Sequence, residues 1–160
     1  MGFGIVRDTM DITFSEKDHQ IVAVLAEMVI PKSDEYCTPG ASDPKIVDSI
    51  INDANRHPDQ LMESLEAVKT LTKEQYDVEF LELDMKTQEK ITINFRCNYP
   101  QVSRQFANLV AQSFYRDDRV MESIELEVRP PYPEGYEVEQ GDWSLLNGVR
   151  KRKPFYRRDY

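Results

Sequence analysis

The residues in this chain whose types could support chemistry are two histidines, two cysteines and a surplus of carboxylates. His19 has no second ligand four residues away, the spacing at which one helix face would grip a metal. It therefore reads as a solvated or capping side chain, and His57 falls in a His-Pro-Asp break between helices. Cys37 and Cys97 are too few to build a disulfide scaffold, and free thiols are favoured over a single bridge because nothing else points to an oxidising compartment. Asp34, Glu35 and Asp43 miss the alternating positions of a calcium loop. The acid pairs Asp84 with Glu89 and Glu137 with Glu139 read as solvated faces rather than acid and base, since such pairs are common on any acidic surface. No heme-attachment spacing, paired-cysteine motif or Gly-x-Gly-x-x-Gly phosphate loop is present. Catalysis needs convergent titratable groups with an orienting partner. The chain lacks those parts and reads as a binding protein.

Charge narrows what it binds. The formal net charge is −9, with 31% charged and 40% hydrophobic residues in 160. That balance opposes a phosphate backbone and suits one domain with much solvated surface, or a subunit whose apolar face a second protein completes. Against this acidity, Arg150, Lys151, Arg152, Lys153, Arg157 and Arg158 crowd the last eleven residues among Phe155, Tyr156 and Tyr160. Such a tail suits an acidic protein surface better than RNA or anionic lipid, given the rest of the chain. No apolar run approaches the roughly 20 residues needed to span a bilayer.

The elements that must position these residues are helical. Residues 1 to 12 show no periodicity and form an arm. Ser15 with Asp18 three residues on marks a helix start, and Ile21, Val22, Leu25, Met28 and Val29 recur at helical spacing until Pro31. A Pro-Gly loop follows to Asp43, which with Pro44 supplies a cap and a first-turn proline for a second helix through Ile46, Val47, Ile50 and Ile51 to about Asn55. Leu61, Met62, Leu65 and Val68 predict a short third helix ending near Leu71. Val102, Phe106, Leu109, Val110 and Phe114 line another after Pro100, and Asp117 caps a last turn or two before Arg129.

One interval is ambiguous. Asp77 to Leu83 and Lys90 to Phe95 alternate polar with apolar residues, the second run being β-branched, which by period alone predicts a hairpin within 77–97.

The end of the chain carries the most specific signal. Pro130, Pro131 and Pro133 forbid helix or central strand, while Tyr132, Tyr136, Val138 and the only tryptophan, Trp143, exclude a plain solvated linker. A stiff aromatic strap of this kind either packs on the chain's own helices or grips a partner. Its sequence from Arg129, Arg-Pro-Pro-Tyr-Pro-Glu-Gly-Tyr-Glu-Val-Glu-Gln-Gly-Asp-Trp-Ser-Leu-Leu, with Val149-Arg150 after it and Tyr115-Arg116-Asp117-Asp118-Arg119-Val120 before it, resembles the gluconate 2-dehydrogenase subunit 3 family. Further anchors are Thr13-Phe14-Ser15 and Ile30-Pro31.

The resemblance implies an all-α fold of five or six helices over 1–128, with 129–160 an extended strap and basic arm of the same unit. In the ambiguous interval it replaces the hairpin with a linker holding Phe80, then Leu83, an Asp84 cap and a helix from about Met85. In that frame Met85, Gln88, Ile91 and Phe95 share one face. It further implies a non-catalytic small subunit of a flavin-dependent sugar or sugar-acid dehydrogenase. Such a subunit binds no cofactor itself; FAD sits in a large glucose–methanol–choline type subunit, with a cytochrome or other carrier as a further possible partner. Arg129, Tyr132, Tyr136, Trp143, Phe155 and Tyr156 are the anchor residues expected to hold that large subunit. The alternative is a self-contained adaptor whose basic tail takes an acidic partner. Many family members are exported through a twin-arginine signal, and this N-terminus has none. The cytoplasm is therefore favoured, with the periplasm expected if the partner carries the signal or the signal has been removed.

Overall fold

A computed structural model describes residues 13–128, 135 and 141–153. The chain divides into two compact units, Met1–Val128 and Arg129–Tyr160. Six α-helices make up the described part of the first: α1 (Glu16–Val29), α2 (Pro44–Ala54), α3 (Pro58–Tyr76), α4 (Met85–Asn98), α5 (Pro100–Phe114) and α6 (Asp118–Ser123). No strand occurs among the described residues, so the fold is all-α as expected.

The helix starts follow from capping chemistry. Ser15 and Asp18 form a reciprocal box: Asp18 N–H donates to Ser15 Oγ at 3.2 Å, and Ser15 N–H to Asp18 Oδ2 at 2.9 Å. Asp43 accepts from Lys45 N–H at 3.0 Å ahead of Pro44, whose missing N–H costs nothing in a first turn. Pro58 and Pro100 likewise occupy the first turns of α3 and α5, there without a side-chain cap. The apolar stripes of these helices meet in one core, with Val22, Ile50, Val68, Ile91, Val110 and Val120 all inaccessible to solvent. Its centre is α5, which packs against α1, α2, α3 and α4.

Three expectations need correction. The third helix is not short. It runs past Leu71 to Tyr76, because Thr72 faces inward and satisfies its hydroxyl by donating to the Val68 carbonyl at 2.8 Å. Asp77 then closes it in the left-handed conformation, at φ 55°. Second, the hairpin that period alone predicts is absent, and the helix from Met85 that the resemblance implied stands: Phe80–Glu82 is a single 3-10 turn with Phe80 buried, and Asp84 caps α4 by accepting from Thr87 N–H at 3.2 Å. Burial of Ile91 and Phe95 offsets the few tenths of a kcal/mol by which each β-branched residue disfavours helix. Gln88 shares that side of the helix, donating from Nε2 to the Phe80 carbonyl at 3.2 Å, whereas Met85 is 80% exposed and does not join the core.

The third correction concerns the strap. In the second unit, Trp143–Leu146 forms a 3-10 turn capped by Asp142, and Asn147–Arg150 forms α7, so this part is coiled rather than extended.

Candidate partner-binding surface

Of the six expected anchors, only Trp143 lies within the described residues; Arg129, Tyr132, Tyr136, Phe155 and Tyr156 lie outside them. Trp143 is 63% exposed, and Leu145, Leu146 and Val149 beside it are exposed as well. Trp143, Leu146 and Val149 recur at intervals of three, which in helical backbone places them along one side. The basic run Arg150, Lys151, Arg152 and Lys153 follows at once, also exposed. A cluster of solvated large apolar side chains next to a cationic run fits an apolar pocket with an acidic rim.

The residues first weighed for catalysis are dispersed. His57 is exposed at the start of α3 and makes no side-chain capping bond, while His19 is half-buried on α1. Asp84 and Glu89 are both exposed, the former occupied as the cap of α4. Glu137 and Glu139 lie outside the described residues. Cys37 and Cys97 are free and exposed, so they do not pair with one another. Cys37 sits at φ 53° in a turn closed by two backbone bonds between Ser33 and Thr38, at 3.2 and 3.0 Å. Among the described residues no group of three or more His, Cys, Asp or Glu is placed to hold a metal, and no helix is long and apolar enough to cross a membrane.

The polar network instead ties the helices together. Arg119 donates from both guanidinium ends to Asp43, at 3.0 and 2.7 Å, and also to Asp117 at 2.9 Å. Those bonds hold both carboxylates below their ordinary acidity range and keep the arginine protonated. Asp53 accepts from Ser113 Oγ at 2.8 Å and from Arg116 through the same oxygen. A small cleft of about 260 Å³ beside Arg116 and Arg119 is walled by this network. Arg116, Arg119 and Asp117 in its wall are already paired, so these three serve as a structural clamp.

A larger feature had no counterpart in sequence reasoning. Between α1, α4 and α5 runs an open groove of about 940 Å³, its floor formed by Leu25, Phe95 and Phe106 and its walls by Met28, Met85 and Ile93 among others. The residues come from three separated segments; Leu25, Met28, Met85, Phe95 and Phe106 are legible in sequence as members of helix stripes, but nothing there shows that they share a groove. Ile93 is 46% exposed.

The Gly-x-Gly-x-x-Gly fingerprint by which a strand–turn–helix takes a flavin dinucleotide does not occur in the sequence. Glycines 2, 4, 40, 135, 141 and 148 do not fall in the pattern. The fold and surface define a small helical domain with exposed apolar faces. The family model "Gluconate 2-dehydrogenase subunit 3" matches residues 16–122, and the chain belongs to that family, which is named for a subunit of a dehydrogenase complex. The match covers α1 to the last turn of α6 and leaves out the strap that carried the resemblance. No curated protein and no solved structure matches the chain.

Proposed function

We propose that this chain is the non-catalytic small subunit of a flavin-dependent dehydrogenase acting on sugars or sugar acids, and that it binds and stabilises the FAD-carrying large subunit. The observation that carries this reading is the family match across the helical core. Two features of the chain support it. Its glycines fit no dinucleotide phosphate loop, and among the described residues no three His, Cys, Asp or Glu side chains are placed to hold a metal. Large apolar side chains stand in solvent at Trp143, Leu145 and Val149, and a binding partner would cover them.

The flavin of the large subunit would supply the hydride acceptor for oxidation of a carbinol carbon. The base that takes the hydroxyl proton would come from that subunit too. This chain's part is mechanical: aromatic and aliphatic anchors on the strap hold the large subunit, and the cationic run from Arg150 orients it against an acidic surface. A cytochrome or other carrier would receive the electrons downstream.

The test is to isolate the tagged full chain from its native cell and read flavin absorbance and the masses of companions. A yellow complex containing one large flavoprotein is the expected result. A colourless, stable monomer with no large companion would overturn the reading in favour of a self-contained adaptor.

A further inference from the structure

We infer that the groove between α1, α4 and α5 is a second docking site, which takes an apolar segment of the large subunit bearing a carboxylate at one end. The inference rests on the accessory-subunit reading and adds a surface on the helical core, separate in sequence from the strap.

The groove is polarised. Arg96 lies in the last turn of α4 and Arg104 in the second turn of α5, so the two flank the junction at Tyr99 and Pro100. Both are exposed, and neither forms an ion pair among the described residues. Two carboxylates also line the groove. Glu27 is already engaged, accepting from Lys32 N–H at 3.1 Å and from Ser42 Oγ at 2.5 Å. Glu89 stands seven residues before Arg96, about two helical turns or roughly 10 Å away along α4. Along α4 the wall of the groove thus runs from anionic at Glu89 through Ile93 to cationic at Arg96.

Charge selects the occupant. The chain's own basic tail, Arg150 to Lys153, would set like charges against Arg96 and Arg104. A second copy brings a net charge of −9 against −9, which opposes self-association. A partner segment with an apolar stripe ending in Asp or Glu meets the floor and the arginines together, in a single orientation.

The experiment uses the full chain and the flavoprotein with which it co-purifies. Wild type, Ile93→Glu and the double variant Arg96→Glu/Arg104→Glu are titrated against that flavoprotein, with helical circular dichroism read on each. At least tenfold weaker binding by both variants, with unchanged helicity, is expected. A brief peroxide pulse on the wild-type pair gives a readout free of any folding change: Met85 oxidation should slow several-fold in the complex. Binding by folded variants within twofold of wild type, together with unprotected Met85, overturns the groove while leaving the accessory-subunit reading intact. A wild-type chain that brings no flavoprotein overturns both. An Ile93-dependent dimer of the chain alone would assign the groove to a second copy, against the inference.

Discussion

Arg119 lies in α6 and Asp43 caps α2, yet the guanidinium spans both oxygens of that carboxylate across 76 residues of sequence. One aspartate thus does two jobs, holding the first turn of α2 and anchoring the last helix of the core. Because the Arg119 side chain is 42% exposed, solvent screening limits its ion pairs to the modest range of partly exposed bridges. Arg119→Ala should destabilise the fold by about 1 kcal/mol. Asp43→Ala should cost about 2 kcal/mol, since it removes the cap as well. Urea unfolding of both single variants and the double variant measures the coupling. Arg119→Lys should recover only part of the loss, because an ammonium cannot reproduce the fork; equal stability of lysine and arginine at this position would contradict the bidentate geometry.

The same contact sets an acid dependence. Hydrogen bonds from Arg119 are the main reason that Asp43 and Asp117 lie below the ordinary aspartate value of 3.8. In Asp18, burial pushes upward, but bonds from Lys69 and Ser15 together overcome it and the net shift is also downward. A carboxylate depressed in the folded state binds fewer protons there than in the unfolded chain. The stability it contributes is present above the unfolded value and is lost as pH falls through the folded one. Unfolding free energy should therefore drop as pH is lowered below about 4. Arg119→Gln should flatten that drop, and a variant as steeply acid-sensitive as wild type would exclude Arg119 as its source.

Gly40 marks a place where space, rather than backbone freedom, dictates the residue. A Cβ there would run into the Glu27 carboxylate and approach the Lys32 amide nitrogen at 2.9 Å. Glu27 cannot swing away without releasing Lys32 N–H and Ser42 Oγ, the bonds that fold the 31–43 loop onto the end of α1. Gly40→Ala should cost about 1–3 kcal/mol, as overpacking does. In a Glu27→Ala background the same change should cost less, because the mobile half of the clash is gone. Additive costs in thermal unfolding would show that the glutamate does not contribute.

What could be read beforehand was whatever is local. Ser15 with Asp18, and Asp43 with Pro44, fix helix starts through bonds between near neighbours, and both starts stand where the pattern puts them. Alternating β-branched residues in α4 misled the period, because Ile91 is buried by tertiary packing while Ile93 faces the groove. The helix from Met85, with its Phe80 linker and Asp84 cap, came from the family resemblance and not from local pattern. The end of α3 was missed because a buried threonine looks polar in sequence and becomes apolar once its hydroxyl is spent on its own helix. The groove and the Arg119 clamp were illegible for a common reason: each joins segments that only the folded chain brings together.

Trp143 separates the two roles that an aromatic strap can have. A core tryptophan would be buried and its loss would unfold the helices, at a cost of about 3–5 kcal/mol. Here the side chain is 63% exposed within a 3-10 turn whose four residues are all solvated, so its removal takes little from the fold. Trp143→Ala should leave helical circular dichroism and the urea midpoint unchanged, while weakening capture of the flavoprotein by tenfold or more, the loss of about 1.4 kcal/mol or beyond that an interface anchor carries. As the only tryptophan in the chain, it also reports on itself. Its emission should be that of a solvated indole in the isolated chain. If emission is already that of a buried indole, or if the midpoint falls in the variant, the side chain serves this chain's own packing and the anchor role passes to its exposed neighbours Leu145 and Val149.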